Sequence, residues 1–197
     1  MFGRITPRLP PSTGPALYRI KTMARLFTLH VEVVIRAPLE RCFLLSTNVE
    51  IVQRELGMHP ARGKTSGLVA GGDTILWMGW KLGLPQFHES LIDEFRPNRF
   101  FRDRMIAGRF RTFEHDHVFD PVAGGVRLHD DLRFTMRWGA FGDLLGRWVL
   151  VPHIRRLMRR RFELLKRIAE SDEWRRYLPG LTDGGENVAS AAKRSMH

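Results

Sequence analysis

The chain has 197 residues, of which 43% are hydrophobic and 27% are charged, so it is long enough for one domain with its own core. Its single cysteine, Cys42, excludes an internal disulfide and a multi-cysteine metal site, and it fits a reducing, cytoplasmic location. The formal net charge is +11, and most of it lies in two segments. Residues 1–22 have four basic and no acidic residues, and residues 141–177 have ten basic and five acidic residues.

The two ends of the chain differ in composition from its middle. Residues 1–22 are basic and interrupted by prolines, which argues against a signal peptide. We interpret them as a disordered leader, or as a stretch included because the translation start was assigned too far upstream, with an organellar transit segment as the alternative. Residues 178–197 are small and polar and predict a disordered tail. Residues 23–177 are therefore the predicted domain, and no window within the chain reaches the roughly 18 apolar residues of a membrane span.

The first half of the domain predicts one strand and two short helices, followed by loops. Apolar side chains alternate over residues 25–35, as in a half-buried strand. Pro38 stands where a helix can begin, and Ser46-Thr47-Asn48 can cap a second helix. Residues 57–72 are rich in glycine, which indicates loops around at most one short strand.

The second half predicts antiparallel strands and then a long helix. Five strand-like segments are separated by turn residues, which is typical of antiparallel pairing; they are residues 73–80, 85–95, 99–106, 110–119 and 126–136. From Phe141 to Tyr177 the apolar residues repeat with a helical period instead. Pro152 interrupts this segment, so we expect a kink or a break, with the long helix starting near it.

This order of elements resembles the helix-grip fold of the START and birch-pollen-allergen superfamily, also called SRPBCC, which includes polyketide cyclase/dehydrase-like proteins. The segments that carry the resemblance are IRAPLERCF, GRFRTFEHDHVFDPVAGGVRLHDDLRF and LMRRRFELLKRI, and it covers residues 23–175. It implies an α+β fold in which a curved antiparallel sheet of about six or seven strands wraps around the C-terminal helix. It also implies a cavity for a small hydrophobic molecule, but it does not fix a reaction, because one fold serves many functions.

Alternation along the strands predicts which polar side chains face this cavity. In residues 110–119 the phenylalanines indicate the inward face, which also carries His115 and His117. The same reasoning turns Asp130, Asp103 and Glu89 inward on their strands.

The long helix contributes one cation. Arg161 lies near the centre of the stripe formed by Ile154, Leu157, Met158, Leu165 and Ile168. An unpaired buried charge is costly, so we expect Arg161 to contact a carboxylate, with Asp130 and Asp103 as the candidates. The complete set of candidate ligand-binding residues is Phe87, Glu89, Phe101, Asp103, Phe113, His115, His117, Asp130 and Arg161.

Three functions fit this pattern. The first is a non-catalytic binder or carrier of a small hydrophobic molecule with one polar end, and we favour it because interior ion-pair networks also arise without catalysis. The second is a cyclase/dehydrase-type enzyme, with His115 or His117 as general base and Arg161 stabilising an enolate. The third is a membrane-peripheral protein that contacts anionic lipid through the basic C-terminal helix.

Other partners receive less support from the sequence. His115 and His117 with a carboxylate could form a two-histidine, one-carboxylate metal site, but this spacing is generic for a strand and no HExxH motif accompanies it. We therefore expect no metal and no other cofactor. We do not expect a nucleic-acid partner, because no known binding motif accompanies the basic charge. The sequence leaves the oligomeric state open.

Overall fold

The computed structural model describes residues 24–81 and 83–184, in which seven strands form one antiparallel sheet in the order β1-β7-β6-β5-β4-β3-β2. Each strand from β2 to β6 pairs with the next along the chain, and β1 pairs with β7 at the edge of the sheet. This agrees with the predicted antiparallel sheet. The strands are β1 Leu26–Ile35, β2 His59–Gly63, β3 Thr74–Lys81, β4 Leu84–Arg96, β5 Phe100–Gly108, β6 Thr112–Val122 and β7 Gly125–Thr135.

Two short helices connect β1 to β2, as predicted. They are α1, Leu39–Ser46, and α2, Val49–Leu56. Pro38 immediately precedes α1. The side-chain oxygen of Asn48 accepts a hydrogen bond from the Ile51 backbone N–H at 3.1 Å, which caps the first turn of α2.

The C-terminal helical segment is continuous from Gly139 to Glu170, and the irregularity expected near Pro152 is a π turn that ends at Leu150. It consists of α3, Gly139–Leu145, a π turn, Gly146–Leu150, the long helix α4, Val151–Glu170, and a 3-10 turn, Asp172–Arg176. Pro152 is the second residue of α4 and lies two residues after the end of the π turn. The buried side chains of α4 follow the predicted stripe and are Ile154, Met158, Arg161, Phe162, Leu165, Ile168 and Ala169.

Two buried clusters hold the sheet against the helices. In the larger cluster, Phe43 of α1 packs edge-on against Phe101 and Phe119 of the sheet. In the smaller cluster, Phe27 stacks on Phe134 near the N-terminal half of α4. A cavity lies between the two clusters and takes part of its wall from each of them.

The predicted disordered tail begins too early. Residues 178–184 pack on the domain, with Leu178 and Leu181 buried in the larger cluster. Arg41 ties this segment to α4, because its guanidinium donates to the backbone oxygens of Asp183, at 2.7 Å, and Ala169, at 3.1 Å. The predicted leader, residues 1–22, and the rest of the predicted tail, residues 185–197, lie outside the described residues.

Candidate ligand-binding cavity

A cavity of about 250 Å³ lies between the sheet and α4. It reaches the surface beside Phe87 and Arg109, which are exposed and form part of its wall. The volume is just under the range of about 300 to 1,000 Å³ found for sites of drug-sized molecules, so it suits a compact ligand. Most of the wall is apolar and includes Val49, Val52, Ile75, Trp77, Ile92, Phe101, Phe113, Leu132, Ile154, Leu157 and Met158.

Asp130 is the centre of a buried polar cluster beside the cavity. The register of β6 and β7 places His117 directly opposite Asp130, and His117 Nδ1 lies 2.9 Å from Asp130 Oδ1. His115 Nε2 lies 3.2 Å from the other carboxylate oxygen, and Arg161 Nε lies 3.3 Å from that same oxygen. All four side chains point inward, as the strand alternation and the helical stripe predict.

Arg161 has a second carboxylate partner that the sequence analysis did not identify. Its Nη1 donates to Glu55 Oε2 at 3.1 Å. Glu55 lies on α2 and lines the cavity together with Val49, Val52 and Leu56. That spacing of three, six and seven residues from Val49 defines one helical face, so a carboxylate on an apolar face was the available signal.

Burial sets the charge states in this cluster. Burial raises the pKa of Glu55 to about 7, against the opposing effect of Arg161. Burial also disfavours the Asp130 carboxylate, but His117, Arg161 and His115 hold the pKa of Asp130 well below its usual range. Burial lowers the pKa of His117 to about 3, so this imidazole is neutral at pH 7. Because the Asp130 carboxylate only accepts, His117 carries its proton on Nδ1 and donates it to Asp130.

Two carboxylate oxygens in the cavity wall have no hydrogen-bond partner among the described residues. They are Glu55 Oε1 and Asp103 Oδ1, both fully shielded from solvent. Asp103 lies opposite His115 in the β5–β6 register. Burial disfavours the charged form of Arg161, but Glu55, Asp130 and Asp103 together raise its pKa. An unsatisfied buried acceptor costs about 1 to 3 kcal/mol, so a ligand that donates a hydrogen bond to either atom is stabilised there.

The structure places most of the predicted site residues around the cavity, with one exception. Phe101, Asp103, Phe113, His115, His117 and Arg161 form its wall, Phe87 lies at its opening, and Asp130 lies behind the two histidines. The expectation for Glu89 is wrong, because its carboxylate lies 2.9 Å from Arg62 Nη2 and is not part of the wall.

A shift in strand register explains why Glu89 points elsewhere. His88, Ser90 and Ile92 line the cavity from β4, so the even-numbered residues face inward there. The pairing of β4 with β5 then shifts between Ile92 and Glu94, which returns Phe95 to the core beside Phe101. The prediction assumed that alternation continues without interruption from Phe87 to Phe95. Because the register shift interrupts it, Glu89 was wrongly placed on the same face as Phe95.

The cluster includes a set of potential metal ligands but does not favour a metal ion. Ligand atoms of His115, His117 and Asp130 lie within 4.8 Å of one another. However, the Arg161 guanidinium already lies 3.3 Å from one Asp130 oxygen and would repel a metal ion placed there. The geometry is that of an ion-pair network.

One observation bears on membrane insertion. Within the part of the chain that the structure describes, no helix combines the length and the apolar character needed to cross a membrane.

Comparisons with known proteins support the fold. No family model matches the chain, and no curated protein matches it. Among solved structures, the chain is similar to Ara h 8.0201, with a TM-score of 0.56 and 10% identity over 74% of this chain and 98% of that one. A Thalictrum norcoclaurine synthase gives a TM-score of 0.56 with 8% identity over 74% of this chain and 95% of that one.

A solved ARO/CYC protein shares the same architecture. The di-domain ARO/CYC protein StfQ of the steffimycin biosynthetic pathway gives a TM-score of 0.60 with 13% identity, over 74% of this chain and 51% of that one. At these identities the likeness concerns the fold alone. The strand order, the two short helices after β1 and the long C-terminal helix agree with it, and the protein has the birch-pollen-allergen-like helix-grip fold.

Proposed function

We propose that this protein binds a compact, largely apolar molecule whose single polar end donates hydrogen bonds. The observation that carries the proposal is the contrast within one cavity. Its walls are mainly apolar, whereas Glu55 Oε1 and Asp103 Oδ1 are buried in the same wall without donors. A hydroxyl or ammonium group on the ligand supplies the missing donors while its apolar body fills the remaining volume.

The charges of the wall oppose an anionic ligand. Arg161 was a candidate from the sequence for stabilising an enolate. Arg161 lies within 3.3 Å of Asp130 and 3.1 Å of Glu55, so its charge is already balanced. An anionic head group placed in this cavity also meets the Asp103 carboxylate, and like charges in a buried site are strongly unfavourable.

The contacts of His117 and Arg161 support binding over catalysis. A general base needs a pKa near the working pH and a free nitrogen. His117 is a poor base because its pKa is lowered to about 3, and it is committed to Asp130. Arg161 is held by two carboxylates, so it is not free to stabilise the enolate of a cyclase/dehydrase-type reaction.

A displacement assay with one dye and three competing ligands tests the proposal. The neutral dye N-phenylnaphthylamine reports occupancy of an apolar cavity, and octylamine, octanol and octanoate share one tail but differ in the head group. We expect octylamine and octanol to displace the dye and octanoate to be weaker by about tenfold or more, a difference of about 1.4 kcal/mol. Native mass spectrometry of the purified protein shows whether it already carries such a molecule.

The matched control is a variant with a filled cavity. Ser90 is buried and lines the cavity from β4, so Ser90→Phe places a ring in the ligand volume. This variant should fold and fail to bind the dye. Dye binding that is unchanged in Ser90→Phe contradicts the cavity as the binding site, and tighter binding of octanoate than of octylamine contradicts the proposed head group.

A further inference from the structure

The segment that connects the sheet to α4 exposes several large apolar side chains. α3 and the π turn bury Gly142 and Gly146, while Phe141, Leu144 and Trp148 are 68%, 57% and 67% exposed. An amphipathic helix of a globular domain normally turns its large apolar residues towards the core. Here Leu145 and Leu150 pack against the smaller cluster, but Phe141, Leu144 and Trp148 face solvent.

Close packing of the glycines fixes this orientation. A Cβ atom added to Gly146 would lie 2.7 Å from the Phe27 ring, and one added to Gly142 would lie 1.8 Å from the Arg137 backbone oxygen. Real Cβ atoms do not approach other atoms so closely, so only glycine fits against the end of the sheet at these two positions. The exposure of the opposite face is therefore part of the folded structure.

The exposed side chains form one continuous stripe. Phe141, Leu144 and Trp148 have the spacing i, i+3, i+7, which places them on one helical face. Trp138, 63% exposed, and Val149, 40% exposed, flank the stripe. Single exposed apolar residues are normal on a protein surface, but a contiguous group that includes two tryptophans indicates an interaction site.

Unpaired arginines surround the stripe. Residues 137–160 contain six arginines and one acidic residue, Asp143. Five of these arginines are exposed and have no carboxylate within ion-pair distance in the described part of the chain; they are Arg147, Arg155, Arg156, Arg159 and Arg160. Elsewhere on the surface, arginines such as Arg54 and Arg104 do pair with carboxylates. The segment thus combines aromatic side chains with uncompensated positive charge.

We propose that this aromatic–arginine surface, formed by the exposed residues of segment 137–160, docks on an anionic lipid bilayer. Tryptophan, phenylalanine and leucine enter the interface between head groups and acyl chains, and the arginines bind the lipid phosphates. Charge complementarity selects an anionic membrane. From the sequence, membrane contact is expected through the basic C-terminal helix. The structure adds an apolar face that lies mainly on α3 and the π turn.

The proposed surface adjoins the cavity. Leu150, which follows Val149 at the end of the π turn, and His153, in the first turn of α4, both line the cavity wall. A bilayer bound here therefore lies beside the ligand site. Docking itself does not depend on the proposed ligand, so the two proposals can fail separately.

Vesicle co-sedimentation tests the docking surface. We expect the protein to sediment with phosphatidylcholine vesicles that contain phosphatidylglycerol, to remain in solution with phosphatidylcholine alone, and to be released at about 0.5 M salt, where the Debye length is only about 4 Å. The double variant Phe141→Ser/Trp148→Ser and the double variant Arg155→Gln/Arg156→Gln should each lower the partition coefficient by about tenfold or more.

Matched controls remove similar side chains at the far end of the domain. Val34 is 44% exposed and lies about 25 Å along β1 from the end that contacts Asp143 of α3. Arg127 and Arg176 are exposed and lie outside segment 137–160. Val34→Ser and Arg127→Gln/Arg176→Gln should sediment with the vesicles as the wild type does, and circular dichroism should show that all the variants are folded.

Two results would overturn the docking proposal. The first is equal sedimentation of the Phe141→Ser/Trp148→Ser variant and its Val34→Ser control. The second is a stable dimer in analytical ultracentrifugation that Trp148→Ser dissociates, because the surface would then be covered by a second copy of the chain. Vesicle binding without dye binding would instead leave docking intact and contradict the proposed ligand function.

Discussion

Arg161→Met tests the buried ion-pair cluster in a protein that keeps nearly the same side-chain volume. The substitution removes the cation that contacts Asp130 and Glu55, whose side chains are each 3% exposed. Breaking a buried pair by removing one partner costs about 3 to 5 kcal/mol, because the remaining charge is left without compensation. Asp130 keeps its hydrogen bond from His117, which limits the loss to the lower end of that range.

The cost should also increase with pH. In the wild type the pKa of Glu55 is already raised to about 7, and loss of the neighbouring Arg161 raises it further. Below pH 7 Glu55 is protonated in both folded proteins, so the difference in the free energy of unfolding comes mainly from Asp130. Above pH 7 only the variant continues to lose stability, because its folded state still binds a proton that the unfolded state has released.

Urea unfolding at about pH 6 and about pH 8.5 measures both effects. The control is Arg159→Met, which removes an exposed arginine two residues away and should change the free energy of unfolding by less than about 0.5 kcal/mol. We expect Arg161→Met to lose about 3 kcal/mol at the lower pH and more at the higher pH. A loss no greater than that of the control at both pH values would refute a buried, paired Arg161.

Three further predictions concern single side chains. In the folded wild type the pKa of Glu55 is raised to about 7, whereas Glu55→Gln has no titrating group at this position. As pH rises from 4.5 to about 7, the wild type should therefore lose about 3 kcal/mol of stability relative to the variant, and parallel stability curves would contradict this. Ser90→Phe fills the cavity, so its melting temperature should be unchanged or higher while native mass spectrometry finds no bound apolar molecule, and retention of a ligand would argue against this cavity. Leu181→Ala should cost about 2 to 3 kcal/mol in urea unfolding, because Leu181 is 7% exposed, whereas a cost near zero would restore the predicted boundary at residue 177.

The sequence predicted those site residues whose pattern is local and regular. On β6 the phenylalanines and histidines alternate without interruption, so the inward direction of His115 and His117 could be read correctly. Arg161 could be identified because one cation interrupts an otherwise apolar helical face. The helical irregularity near Pro152 followed from the backbone chemistry of proline.

The sequence failed where the structure depends on non-local packing. The register shift in β4 is set by its pairing with β5, so simple alternation assigned Glu89 to the wrong face. The partner Glu55 lies 106 residues from Arg161 along the chain, and no local pattern joins them. In α3 both faces lack charge except for Asp143, so only the contact of Gly146 with Phe27 decides which face is exposed.

The most direct test of the central claim is a crystal structure of the protein with octylamine. We expect the alkyl chain between Trp77 and Ile92 of the sheet and Met158 of α4, and the nitrogen within hydrogen-bond distance of Glu55 or Asp103. An octylamine molecule bound outside the cavity, with Arg161 still paired to Asp130 and Glu55, would contradict the proposed site.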